Sequence, residues 1–109
     1  MKTIWHSKAE SEMLNIADYI REAFGAKRSK IFLQEVRNTT RMLRNSPNIG
    51  FFDPLFDDCT TSYRSIIISG LSKMVYHTEG DIIYIDAFWD TRREPQNQAQ
   101  QTTESFGKD

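Results

Sequence analysis

Two glycines, Gly70 and Gly80, divide the stretch from Tyr63 to Pro95, YRSIIISGLSKMVYHTEGDIIYIDAFWDTRREP, into three β-rich runs. Glycine at the first central position of a two-residue loop suits a type II′ hairpin turn. The expected product is an antiparallel ribbon of three strands. With Gly70-Leu71 as the first turn, Ile68 faces Lys73, Ile66 faces Val75 and Arg64 faces His77. With Gly80-Asp81 as the second, His77 faces Tyr84, Val75 faces Asp86 and Lys73 faces Phe88. Side chains alternate between faces with period two. Arg64, Lys73, His77, Tyr84 and Asp86 then share one face. Ser65, Ile67, Met74, Tyr76, Ile83, Ile85, Ala87 and Trp89 share the other, which reads as the core side. A one-residue slip would reassign every one of these positions.

The N-terminal half has helical rather than strand periodicity. Lys2 to His6 is a short strand candidate, and Ser7 with Glu10 has the spacing of a capping box. Ala9, Met13, Ile16, Ala17, Ile20 and Phe24 then recur as one apolar stripe, which Gly25 is placed to end. A second helix is expected from Ala26 to Asn45, closed by Ser46-Pro47, with Phe32, Val36 and Leu43 facing inward. A single glycine between two amphipathic helices implies a helical hairpin, and such a pair buries its apolar side by covering one sheet face. Asn45 to Thr61 reads as a loop. Its Phe51, Phe52, Leu55 and Phe56 either tuck under the domain edge or face a partner.

The expected fold class is α+β, with order β-α-α-β-β-β: a small antiparallel sheet carrying the hairpin on one face. The other face would stay open, and clustered cations there would mark the working surface. The 109 residues suffice for one domain, placed at 1–95, followed by a polar, Gln-rich tail at 96–109 expected to be flexible. No apolar run approaches the roughly 20 residues of a membrane span. The N-terminus has no hydrophobic signal core, so a cytoplasmic location is expected. Cys59 is the one cysteine and the histidines are two, in unrelated places, so neither a disulfide nor a metal or other cofactor is expected. Net charge is −1, yet residues 1–50 hold nine Lys/Arg against five Asp/Glu, and residues 51–109 hold five against ten. Oppositely charged halves suit oppositely charged partners; the alternative is a solvated surface of uneven charge. Lys30, Arg37, Arg41 and Arg44 lie seven, four and three residues apart and form one basic stripe on the second helix. It suits RNA phosphates or an acidic protein segment, or is a solvated helix face.

From Trp5 to Pro95 the chain resembles the RelE/ParE toxins of type II toxin–antitoxin systems. The resemblance is carried by Trp5 and the following helix with Ala9 and Ile16-Ala17-Asp18-Tyr19-Ile20. Phe24-Gly25, the long second helix ending at Leu43, then Pro47 and Gly50 continue it. Tyr63-Arg64-Ser65, Lys73-Met74-Val75-Tyr76, the strand Asp81–Ile85 and Arg92-Arg93 complete the pattern. It implies a growth-inhibiting toxin neutralised by a cognate antitoxin whose C-terminal segment wraps it. It also implies one of two targets: DNA gyrase, poisoned without catalysis as by ParE-like members, or mRNA cut on the ribosome without metal, as by RelE-like members. The helical hairpin and Tyr63-Arg64-Ser65 look more ParE-like.

For a nuclease, Arg64, Lys73 and Arg92 or Arg93 match positions where RelE-like members carry cations, and His77 and Tyr84 are candidates for proton transfer or base stacking. Ile66 departs from that pattern, because a second basic residue is usual two positions after the first. Asp86 on the same expected face would oppose phosphate. The bland readings are an Arg64 pair with Asp86 or Asp90, an edge-protecting Lys73, and surface roles for His77, Tyr84 and the late arginines.

Overall fold

The computed structural model describes residues 1–70 and 72–91. Arg92, Arg93 and the polar segment 96–109 lie outside the described residues. Strand β1 (Lys2–Trp5) leads into helix α1 (Ser7–Phe24) and helix α2 (Ala26–Asn45). A two-residue strand β2 (Phe51–Phe52) and a 3₁₀ turn (Pro54–Phe56) precede strands β3 (Arg64–Ile68), β4 (Ser72–Glu79) and β5 (Ile82–Asp90). The sheet order is β1-β5-β4-β3-β2, with β1 parallel to β5 and the other pairs antiparallel. The α+β architecture with a helical hairpin on one sheet face is as expected, and β2 is an addition.

The helices form for the reasons their sequence suggests. Gly25 separates them at φ 101°, in the left-handed region that glycine enters without a Cβ clash. The first cap differs by one residue. His6, not Ser7, is the N-cap, and its Nδ1 accepts from the Lys8 N–H at 3.1 Å. Ala9, Ala17, Phe32, Val36 and Leu43 pack on Ile68, Met74, Tyr76, Ile83, Ile85 and Phe88 of the sheet. Phe24, the last residue of α1, is 61% exposed rather than buried with the expected stripe, and meets the Tyr19 ring edge-on at 6.4 Å. The two hairpin helices are tied by the Ser29 hydroxyl, which donates to the Ala17 carbonyl at 2.8 Å.

The ribbon departs from its expected register in two places. Ile68 pairs with Ser72, so three residues rather than two separate the paired ends of β3 and β4. Ser69 takes φ 56° and Gly70 φ 75°, and the Ser69 hydroxyl donates to Glu35 of α2 at 2.9 Å. That one-residue slip moves Arg64 opposite Tyr76 and puts Lys73 opposite Ile67. Arg64 and Lys73 therefore lie on opposite faces of the sheet. The second turn pairs as expected, Glu79 with Ile82 and His77 with Tyr84. Beyond it, Tyr76 pairs with Ile85 but Val75 pairs with Ala87, so Asp86 is the extra residue of a β-bulge. The bulge flips the alternation. Ile83, Ile85 and Phe88 face the helices, while Ala87 and Trp89 face away.

That second face is not open. Phe56, Tyr63, Val75, Ala87 and Trp89 form a separate buried cluster, with Leu55 and Cys59 packed against it. The segment from the 3₁₀ turn to Tyr63 thus covers the side expected to be solvent-facing. Of the loop aromatics, Phe56 is buried, whereas Phe51 and Phe52 are 47% and 61% exposed.

The α2–β2 connection is fixed from beneath by Tyr76. Its hydroxyl donates to the Pro47 carbonyl at 2.8 Å and accepts from the Gly50 N–H at 3.0 Å. Gly50 has no room for a side chain, since a Cβ there would lie 2.7 Å from the Tyr76 ring. Tyr76→Phe leaves two backbone groups unpaired, one in a buried residue, and is expected to lower the unfolding free energy by about 1–3 kcal/mol in urea titrations. Gly50→Ala is expected to destabilise as well, and an unchanged midpoint for both variants would remove this anchor.

Candidate functional site

The register decides which expected site residues meet. Arg64 lies on the helix-bearing face, at the end of the sheet near the α2–β2 connection. Its guanidinium donates to the Gly50 carbonyl at 2.7 Å and the Asn48 carbonyl at 3.2 Å, and stacks 3.9 Å from the Phe52 ring centroid. Among the described residues it bonds to these carbonyls rather than to Asp86 or Asp90. Both bonds come from one guanidinium nitrogen, and with the ring contact they give Arg64 the geometry of a loop staple.

Lys73 lies on the other face and is 7% exposed. Its Nζ is 2.6 Å from Asp53 Oδ2, which also accepts from the Ser65 hydroxyl at 2.8 Å. Asp53 Oδ1 caps the 3₁₀ turn by accepting from the Leu55 N–H. Burial pushes the Asp53 carboxyl up, but the Lys73, Leu55 and Ser65 hydrogen bonds outweigh it and leave its pKa below the ordinary value. A lysine held this way clamps the covering segment to the sheet. It is central rather than edge-protecting, because β4 has neighbours on both sides.

His77, Tyr84 and Asp86 do come together, with Tyr63 and Glu79. The His77 ring stacks on Tyr84 with centroids 5.0 Å apart and meets the Tyr63 ring edge-on at 5.7 Å. Its Nδ1 is 2.5 Å from Asp86 Oδ2 and its Nε2 is 2.8 Å from Glu79 Oε2. Burial pulls the imidazole pKa down, but the bond to Asp86 and its charge, then Glu79, raise it above the ordinary histidine value. The bulge is what makes this possible, since it turns Asp86 toward His77. A shallow depression of about 410 Å³ adjoins the cluster, reaching His6 and Ser7 at the start of α1. Among the described residues its lining has two carboxylates and no lysine or arginine. An imidazole with both nitrogens on carboxylates is a poor general base, and the local field repels phosphate. Among the described residues no group of His, Cys, Asp and Glu is arranged to hold a metal.

A larger groove, of about 610 Å³, opens between the second half of α1 and the first half of α2. Ile16, Ile20, Phe32 and Phe88 form its floor, Tyr19, Phe24 and Ile31 its exposed apolar wall, and Glu12, Arg28, Glu35 and Asp90 its polar rim. Sequence reading missed it. The signal was there in Tyr19 and Ile31, large apolar residues outside the inward stripes of their helices. Lys30, Arg37, Arg41 and Arg44, the basic stripe of α2, are all exposed.

A family profile described as "ParE toxin of type II toxin-antitoxin system, parDE" matches residues 3–95. Among solved structures, a chain of the "Chromosomal ParDE TA system from P. aeruginosa" is similar to this one with TM-score 0.67 and 18% identity. The match covers 83% of this chain and 95% of that chain. At that identity the likeness concerns the fold. No curated protein matches the chain.

Two expected outcomes test these roles. Lys73→Ala strands a buried carboxylate, so it is expected to cost about 3–5 kcal/mol of stability, and Asp53→Asn combined with Lys73→Met to recover most of that loss. Equal stability of Lys73→Ala and wild type in urea unfolding would remove the clamp. For His77 the folded pKa is the higher one, so its contribution is complete below the unfolded value of about 6.5 and lost as pH rises through the folded value. The stability gap between wild type and His77→Gln should therefore narrow on going from pH 6 to alkaline pH, about 9. The difference between the two proteins isolates His77 from His6, whose pKa is lowered by burial and by Lys8.

Proposed function

Because the chain belongs to the ParE toxin family of type II toxin–antitoxin systems, we propose that its target is DNA gyrase and that it acts by binding rather than by cleaving RNA. ParE toxins inhibit DNA gyrase, and a parDE system implies a cognate ParD antitoxin as partner. One observation favours binding over ribosome-dependent cleavage. The register slip separates Arg64 from Lys73, and each is engaged by its own part of the protein. The remaining cluster of His77, Tyr84 and Asp86 is acidic in character. Metal-free cleavage needs cations around the developing phosphorane charge. Arg92 and Arg93 lie outside the described residues, and the proposal does not use them.

The antitoxin is assigned to the groove between α1 and α2. Exposed Tyr19, Phe24 and Ile31 beside a deeper apolar floor suit an amphipathic helix laid in by its apolar side. Among the described residues, no helix is long and apolar enough to cross a membrane, so these apolar groups do not belong to a span.

The decisive assay adds purified protein to gyrase and supercoiled plasmid. Inhibited supercoiling with trapped double-strand breaks is expected, relieved by cognate antitoxin. Undisturbed gyrase, together with new message ends at codon boundaries on translating ribosomes, would replace this reading with the nuclease one. Ile31→Glu, which charges the groove wall, is expected to weaken antitoxin binding at least about tenfold by calorimetry while the unfolding midpoint is kept.

A further inference from the structure

Helix α2 carries six cations (Lys27, Arg28, Lys30, Arg37, Arg41 and Arg44) and one acid, Glu35, a formal charge of +5 in a chain whose net charge is −1. The cations are not spread evenly round the helix. At 3.6 residues per turn, Lys30, Arg37, Arg41 and Arg44 fall within an arc of about 60° and along about 21 Å of axis. All four are exposed, and among the described residues none is in a salt bridge. Arg37 donates to Gln34, and Gln34 to Asn38, so neutral hydrogen-bonding groups border the stripe. Glu35 projects from the other flank and accepts from Ser69, away from the arginines.

We propose that this flank of α2 is a binding surface for the phosphate backbone of duplex DNA, an interaction of the chain's own that goes beyond gyrase inhibition. Three features select this partner. The flank is free of apolar anchors: the exposed apolar residues of α2, Ile31 and Met42, project on the far side of the outward direction. A protein segment that orders on a surface draws its affinity mainly from buried aromatic and apolar anchors, which this flank lacks. Single-stranded nucleic acid is held by aromatic platforms on which bases stack, and the stripe has none. What it offers is a straight, rigid row of cations, the arrangement that duplex phosphates reward through counterion release.

The rest of the molecule reinforces the direction of approach. Exposed Asp57 and Asp58 sit in the segment that covers the sheet face away from the helices. Glu79 and Asp81 lie at the β4–β5 turn. A protein of near-zero net charge is thereby divided, with positive potential on α2, so a polyanion is steered to that side.

The test is fluorescence anisotropy of the purified full chain with a labelled random-sequence duplex of about 20 base pairs, titrated between 50 and 200 mM KCl. Four phosphate contacts predict a slope of log K against log salt of about −3.6, an affinity loss of about 150-fold across that range. Arg37→Gln combined with Arg41→Gln should flatten the slope by about two units. Arg21→Gln, on α1 and outside the stripe, should leave it unchanged. Circular dichroism and urea midpoints equal to wild type keep a loss of binding from being a loss of fold. The proposal is overturned if the wild-type chain fails to bind at 50 mM KCl, or if the double variant keeps the full slope. It is also overturned if an acidic peptide of equal charge, or a single-stranded RNA of equal length, displaces the duplex at lower concentration. Gyrase is absent from the assay, so failure here leaves the gyrase reading intact, and success does not depend on it.

Discussion

A single buried ion pair holds the covering segment of this protein on its sheet. Lys73 points away from the helices and meets Asp53, whose two oxygens also hold Ser65 and the first turn of the covering segment. Without that pair the sheet would present a lysine and a broad apolar side to water. With it, residues Phe56 to Tyr63 lie across Val75, Ala87 and Trp89, and the middle of the second sheet face becomes core. The pair is expensive to bury, and good geometry with three hydrogen bonds to the carboxylate offsets that cost. The segment Phe56 to Tyr63 thereby closes the middle of that face, while the outer sides of both helices stay exposed.

The bulge at Asp86 acts on the same question from the other side of the ribbon. By inserting one residue it lets Ile85 and Phe88 both reach the helical core, while Ala87 and Trp89 serve the second cluster. It also turns the Asp86 carboxylate onto His77, making a compact cluster of stacked rings and acids with no lysine or arginine among the described residues that line it. Helix α2 then presents two unlike flanks. One borders the apolar groove suited to a helical inhibitor, and the other is a row of cations. A toxin that must be silenced by one protein and reach another molecule benefits from keeping these two surfaces apart on one rigid element.

The element order apart from β2, the helical hairpin with its glycine hinge, the inward Phe32, Val36 and Leu43, and the β4–β5 turn were all legible in the chain. So was the family, from the order of modest motifs between Trp5 and Pro95. The site was less legible. Four of its expected members, Arg64, Lys73, His77 and Tyr84, occupy the strands foreseen, but Arg64 is on the wrong side and Lys73 is internal. The groove went unread because its wall joins Tyr19 and Phe24 of one helix to Ile31 of the other, a juxtaposition that only the packed hairpin creates.

Periodicity and turn residues determined by themselves which segments become helix and which become strand, since those preferences act within a few residues of the chain. Beyond the β4–β5 turn, tertiary structure decided which strand residues face each other. Ser69 is held in a left-handed conformation beside Glu35 of α2, and Asp86 is left over when Ile85 and Ala87 both find their places. Each is a contact or a packing demand between distant segments, and a shift of one residue at either point turns every later side chain to the opposite face.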